Sequence, residues 1–203
     1  MKNYLDLNGN KIALTDAQVE DIKKSFGLGS KELGKVDVGK TAKLGEFEVI
    51  VLEHGAETTA VILKGLYKES EEFGKNNNFD GSYADKHCKE FEKKLAKIIG
   101  SENIIEHKVD LTADDGLKCY GTIRRKVSLL TTDLYRRYVE ILDEHKLDAW
   151  WWLATPHSTP KHCDYNWVKC VAPSGGICDD YYFNCSIGVR PFCILKSSIF
   201  VSE

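Results

Sequence analysis

Two short segments hold most of the groups in this chain that could touch a ligand. One is HCDYNW at residues 162–167 and the other is CDDYYFNCS at residues 178–186. Both mix aromatic rings with Asp, Asn and Cys. Tyr and Trp offer large rigid contact area at low entropic cost, while Asn and Ser adapt their hydrogen bonds to what they meet. The candidate ligand-binding residues are therefore His157, Asp164, Tyr165, Asn166, Trp167, Lys169, Asp179, Asp180, Tyr181, Tyr182 and Asn184. A polar hairpin with one aromatic packing face would have the same composition, so the three-dimensional placement of residues 162–186 decides between the two.

Other chemistries find weaker support. Cys163, Cys170, Cys178, Cys185 and Cys193 follow one another at offsets of seven and eight, with Cys88 and Cys119 upstream. These offsets contain no CxxC pair, and His162 adjoins Cys163 too closely for zinc-ligand spacing, so no metal site is expected. The odd count, with no apolar leader at the start of the chain, makes reduced thiols the expectation. Cys193 continues the apolar run into Leu195, and Cys170 sits next to Val171, so both are expected in the core. His157 with Asp164, Asp179 and Asp180 could be drawn as a hydrolytic set. Nothing in the sequence fixes a nucleophile, an orienting group and an oxyanion hole together, so no catalytic residue is assigned and His157 is expected in a solvated loop. Calcium needs several convergent oxygens, of which Asp179, Asp180 and Asn184 supply only some. No cofactor is expected.

Composition narrows the classes. The 203 residues suffice for one domain and a small appendage, and 42% hydrophobic residues suit a buried core. A net charge of -3 lacks the basic excess of nucleic-acid or membrane-surface binders. No apolar run approaches the roughly 20 residues of a membrane helix. A cytoplasmic protein, or one assembled in the cytoplasm into a larger particle, is the expected setting.

The elements that must position these groups follow in order. Residues 1–27 read as a hairpin around Asn8-Gly9 and a helix capped by Thr15 with Gln18 three residues on, a unit suited to attachment or self-assembly. Residues 28–35 read as a linker and 36–203 as the main domain. There, 42–44, 47–52 and 58–63 form a meander turning at Gly45-Glu46. Ser82–Ile99 is an amphipathic helix with Ala84, Cys88, Phe91, Leu95 and Ile98 on one face, ended by Gly100. Residues 127–130 read as a strand, and Thr131 or Thr132 caps a helix over about 133–145. Ser174-Gly175-Gly176 turns a hairpin, and Asn76-Asn77-Asn78 reads as a turn. Trp151 and Trp152 are neighbours on a strand, so both are buried only if each face of that strand is covered. Pro156 should end regular pairing. Arg190, before Pro191 in an apolar strand, should bond carbonyls or a carboxylate, since a lone buried guanidinium is too costly.

Four segments in this order carry a resemblance: Phe73-Gly74-Lys75-Asn76-Asn77-Asn78, Trp151-Trp152-Leu153-Ala154-Thr155-Pro156, Val168 through Ser174-Gly175-Gly176, and Gly188-Val189-Arg190-Pro191. Over roughly residues 36–197 they resemble an uncharacterised bacterial and prophage domain family with W-W-L-R-S-P-like and G-V-R-P segments. That family in turn is similar to the C-type-lectin-like fold of formylglycine-generating enzymes and of retroelement-diversified variable proteins. Ala154-Thr155 and Phe192-Cys193 depart from its usual Arg-Ser and Ala-Leu, so no charge-based role is expected at residue 154. The resemblance implies an α+β, C-type-lectin-like fold: two helices on a small antiparallel sheet, with long C-terminal loops. It implies a scaffold built on Trp151, Trp152, Pro156, Arg190 and Pro191. It also implies recognition of a protein or glycan in a phage or prophage setting, with the loops diversified, since their composition matches adenine-directed mutagenesis of Asn codons. A cysteine-dependent enzyme on the same fold and a purely structural particle component stay open as alternatives.

Overall fold

The computed structural model describes residues 4–7, 10–25, 31–162 and 165–202. At the N-terminus, β1 (Tyr4–Leu7) and β2 (Asn10–Ala13) pair antiparallel, and α1 (Asp16–Ser25) follows. The expected capping box is present: Gln18 N–H donates to Thr15 Oγ1 at 3.3 Å, and Thr15 N–H donates to Gln18 Oε1 at 3.0 Å. The Asn8-Gly9 turn lies outside the described residues.

The segment expected as a linker, 28–35, is not one in its described part, 31–35. There β3 (Lys31–Glu32) pairs with β15 (Phe200–Val201), and Leu33 is wholly buried in the turn that follows. Within KELGK at 31–35 a single apolar residue shows no periodicity, yet burying it stitches the start of the domain to its end.

A six-stranded antiparallel sheet forms the centre. Its path runs β10 (Val127–Ser128), β14 (Phe192–Lys196), β6 (Thr58–Leu63), β5 (Phe47–His54), β4 (Thr41–Leu44), and β7 (Ile104–Ile105) also pairs with β14. Both faces of this sheet are covered. Along β5, Val49 and Val51 join one buried cluster, and Ile50 and Leu52 join another. That explains the unbroken apolar run VIVL, which a half-solvated strand would not have.

The first cluster is closed by α2 (Tyr83–Ile99), which buries Ala84, Cys88, Phe91 and Leu95. Ser82 caps it, accepting from Asp85 N–H, and Gly100 ends it at φ 84°. Ile98, expected on the buried face, is exposed and covers the β4–β5 turn instead. A Cβ at Gly45 (φ 60°) would lie 3.0 Å from its Cδ1. The second cluster is closed by α3 (Thr132–Arg137) and α4 (Val139–Glu144), through Tyr135, Tyr138 and Leu142. These two short helices replace the single helix expected over 133–145, with Thr131 as the cap. The break falls at Tyr138, whose N–H is shared between the Leu134 and Tyr135 carbonyls and whose phenol donates to Glu53 at 2.7 Å.

Two further sheets complete the domain: β8 (His107–Asp110) with β9 (Thr122–Arg125), and β11 (Trp151–Pro156) with β12 (Trp167–Val171) and β13 (Ile177–Tyr181). Every residue of β11 is buried. Trp152 lies in the α2 cluster and Trp151 in the α3–α4 cluster, so each ring has its own covered face. Pairing does not stop at Pro156. A register shift after Trp152 brings Pro156 opposite Val168, and His157 N–H still donates to Trp167 O. The proline tolerates this because its missing donor sits at a position that makes no bond to β12; its carbonyl accepts from Asp114 N–H on the other side.

Arg190 resolves toward carbonyls. Its Nε donates to Leu63 O at 2.9 Å and its Nη2 to Lys64 O at 3.0 Å and His145 O at 3.4 Å, and the guanidinium lies 5.1 Å from the Trp151 ring centre. Burial pulls its pKa down to about 10, which leaves it charged at neutral pH. Pro191 offers its carbonyl to Leu63 N–H, extending the join between this segment and β6.

Candidate functional site

The β12–β13 hairpin turns through Ser174-Gly175-Gly176, with Gly175 at φ 88°. Its ladder has two kinds of rung. The bonds from Ala172 N–H to Gly176 O and from Tyr182 N–H to Asn166 O mark alternate hydrogen-bonded rungs. Trp167–Tyr181 and Lys169–Asp179 therefore fall on the rungs between, where side chains stand closest. Both pairs use that proximity.

Trp167 and Tyr181 stack with ring centres 4.1 Å apart, and Phe183 lies on Tyr181 at 5.0 Å and 17° between planes. Tyr181 is 39% exposed and Phe183 52%. Three rings in a column at the rim of a sheet place apolar area in water that packing alone would have buried.

Next to this column, Lys169 is only 8% exposed and carries its Nζ between Asp179 Oδ1 at 2.8 Å and Asp114 Oδ2 at 2.9 Å. His157 Nδ1 reaches the same Asp179 oxygen at 3.1 Å. Burial alone would lower the Lys169 pKa, but the two carboxylates outweigh it and hold the ammonium above its ordinary value. Exchanging Lys169 for Met keeps the buried stem and leaves two half-buried carboxylates facing each other. The expected cost is about 1–3 kcal/mol in urea unfolding. A wild-type midpoint for that variant would show that the ion pairs are dispensable.

A second tie lies below. Asn77 is wholly buried and donates from Nδ2 to Ser158 O at 2.8 Å and Trp167 O at 3.1 Å, while Tyr120 OH donates to its Oδ1 at 2.7 Å. Asn76 and Asn78 make the expected turn, each accepting an N–H two residues on. Asp115 Oδ2 accepts from Ser158 Oγ at 2.8 Å and faces His162 Nδ1 at 2.9 Å. Burial would raise the Asp115 pKa, but the Leu117 N–H, the Ser158 hydroxyl and His162 more than offset it and hold it low.

The expected site residues thus divide. Trp167 and Tyr181 present rings, Tyr165 is exposed but makes no ring contact with either, and His157, Lys169 and Asp179 form one polar chain beside the pair. His157 lies in the loop after β11, as expected, with its side chain 37% exposed and its Nδ1 on Asp179. Asn166 contributes its carbonyl to the ladder. Asp180 and Asn184 are spent on the chain's own turn, since Asn184 Nδ2 donates to Asp180 Oδ2 at 2.9 Å. Tyr182 turns away from Tyr181, though its ring meets Phe183 edge-on at 5.2 Å. Its ring packs against the buried core, and its carbonyl accepts from Phe73 N–H. Strand alternation forbids neighbours a common face. The third exposed ring belongs to Phe183, brought back by the turn in which Asn184 N–H donates to Tyr181 O. Alternation, applied to YYF, was the signal that could have found it. Asp164 lies outside the described residues.

Among the described residues no cysteine thiol bonds a histidine ring; Cys119 Sγ accepts from Thr159 Oγ1 at 3.3 Å. Nor do any three of their His, Cys, Asp or Glu side chains stand where they could hold a metal ion. No helix among them is long and apolar enough to cross a membrane. No protein-family model, curated protein or solved structure matches the chain.

Proposed function

We propose that this protein is a ligand-recognition module for a protein or glycan, and that the ring column Trp167–Tyr181–Phe183 is its contact surface. The observation that carries this is the column itself: three rings in successive contact at a sheet rim, two of them exposed. Buried aromatic anchors dominate binding energy in recognition surfaces, and these rings stand pre-arranged at little further entropic cost. The polar chain of His157, Asp179, Lys169 and Asp114 supports the rung beneath. Antiparallel sheets with helices on two faces and a loop-rich C-terminal sheet are compatible with a C-type-lectin-like fold in a phage or prophage setting, with the 162–186 segments as the varied part.

The direct test pairs wild type with Tyr181→Ala plus Phe183→Ala, immobilised and exposed to a glycan array and to bacterial surface-protein extracts. The double variant should lose at least tenfold in signal on whichever ligand the wild type retains, with an unchanged circular-dichroism spectrum. Equal retention by both proteins would remove the column as the contact surface.

A further inference from the structure

Six cysteines lie among the described residues, all free thiols, and their placement is not uniform. Cys88 and Cys193 are both buried in the α2 cluster, out of reach of a soluble oxidant. Cys119 and Cys185 are exposed, but neither stands opposite another thiol in a strand pair. Cys170 and Cys178 combine both properties. They are direct partners across β12 and β13, Cys170 buried and Cys178 half-buried.

Their rung is a hydrogen-bonded one, two steps from Asn166–Tyr182 and from neither end of the hairpin frayed, since Ala172 N–H still bonds Gly176 O. Cα atoms on such a rung stand about 5.5 Å apart, inside the disulfide range. The Cβ atoms of directly opposed residues are about 5 Å apart, roughly 1 Å more than a disulfide prefers. A bond there draws the strands together under strain, and a strained disulfide is readily reduced.

We propose that Cys170 and Cys178 form a reversible cross-strand disulfide, with a low-molecular-weight disulfide such as oxidised glutathione as the oxidant. Cys178, reachable from solvent, gives up its proton, and its thiolate attacks one sulfur of the oxidant. The oxidant's S–S bond breaks, a mixed disulfide forms on Cys178, and one thiolate leaves. Cys170 then loses its proton and attacks Cys178 Sγ, expelling the second thiolate. The protein has lost two hydrogens, and the oxidant has become two thiols. Burial first, and the neighbouring Cys178 second, push the Cys170 thiol up to about 12, so the second step is slow. The product clamps the hairpin that carries Trp167 and Tyr181.

The test uses the full chain with Cys119, Cys163 and Cys185 replaced by Ser, folded, in graded mixtures of reduced and oxidised glutathione. After acid quenching and alkylation, the tryptic peptide 170–196 retains Cys170, Cys178 and Cys193. In the oxidising mixtures it should become predominantly lighter by two hydrogens with Cys193 alone alkylated, and dithiothreitol should reverse this. Adding Cys178→Ser should abolish the species. A peptide that keeps glutathione on Cys178 with Cys170 reduced would overturn the proposal. So would a linked form that appears only after denaturation.

Discussion

Replacing Arg190 with Ala is expected to cost about 4 kcal/mol of stability, from a large cavity and buried carbonyls left without donors. Leu63, Lys64 and His145 all offer carbonyl oxygens to this one side chain, and Trp151 lies against its guanidinium. The residue therefore joins the end of β6, the segment before β11 and the α3–α4 face. Arg190→Met restores most of the volume but none of the hydrogen bonds, so it should recover only part of the loss. Urea unfolding of the three proteins measures this, and a deficit below about 1 kcal/mol for Ala would mean that the carbonyls find other donors.

Asp85→Ala is expected to cost on the order of 2–4 kcal/mol, because it removes one of the two carboxylates on the partly buried Arg125, leaving it Asp80, and takes away the acceptor of Gly81 N–H. Asp85 is wholly buried on α2 and accepts from Arg125 Nε at 2.8 Å and Nη2 at 3.0 Å, Lys89 Nζ at 2.7 Å and Gly81 N–H at 3.0 Å. Burial would raise its pKa, but these donors, Arg125 foremost, win and hold it below its ordinary value. With the folded value the lower one, the stabilisation is fully present above the unfolded carboxyl pKa of about 3.9 and is lost as pH falls through the folded value. Acid titration of folding should therefore show a limb below about pH 4 that Asp85→Asn flattens. An identical limb in that variant would assign acid lability elsewhere.

How much of this was legible in the sequence depended on whether the signal was local. The β4–β5–β6 meander, the body of α2, and the β12–β13 turn are written in adjacent residues and occur where pattern and turn chemistry place them. The double burial of Trp151 and Trp152 was legible as a condition, that both strand faces be covered, and the two clusters meet it. What was not legible is long-range. Leu33 is buried by a pairing with residues near 200. Lys169, offered as a surface contact, is enclosed because Asp114, more than fifty positions earlier, reaches it along with Asp179. Tyr182 against Phe183 was a different kind of miss. The information lay in strand alternation and in the turn after Tyr181, whereas composition alone treats all three rings alike.

Asn77 has a consequence of another sort. It grips the stretch between Ser158 and Trp167 by its two end carbonyls, groups that every amino acid possesses. Such a clasp is blind to spelling. The clasp itself would therefore survive a change of side chain at Ser158 or Trp167. Thr159 is held by its identity as well, being wholly buried with its hydroxyl on Cys119 Sγ.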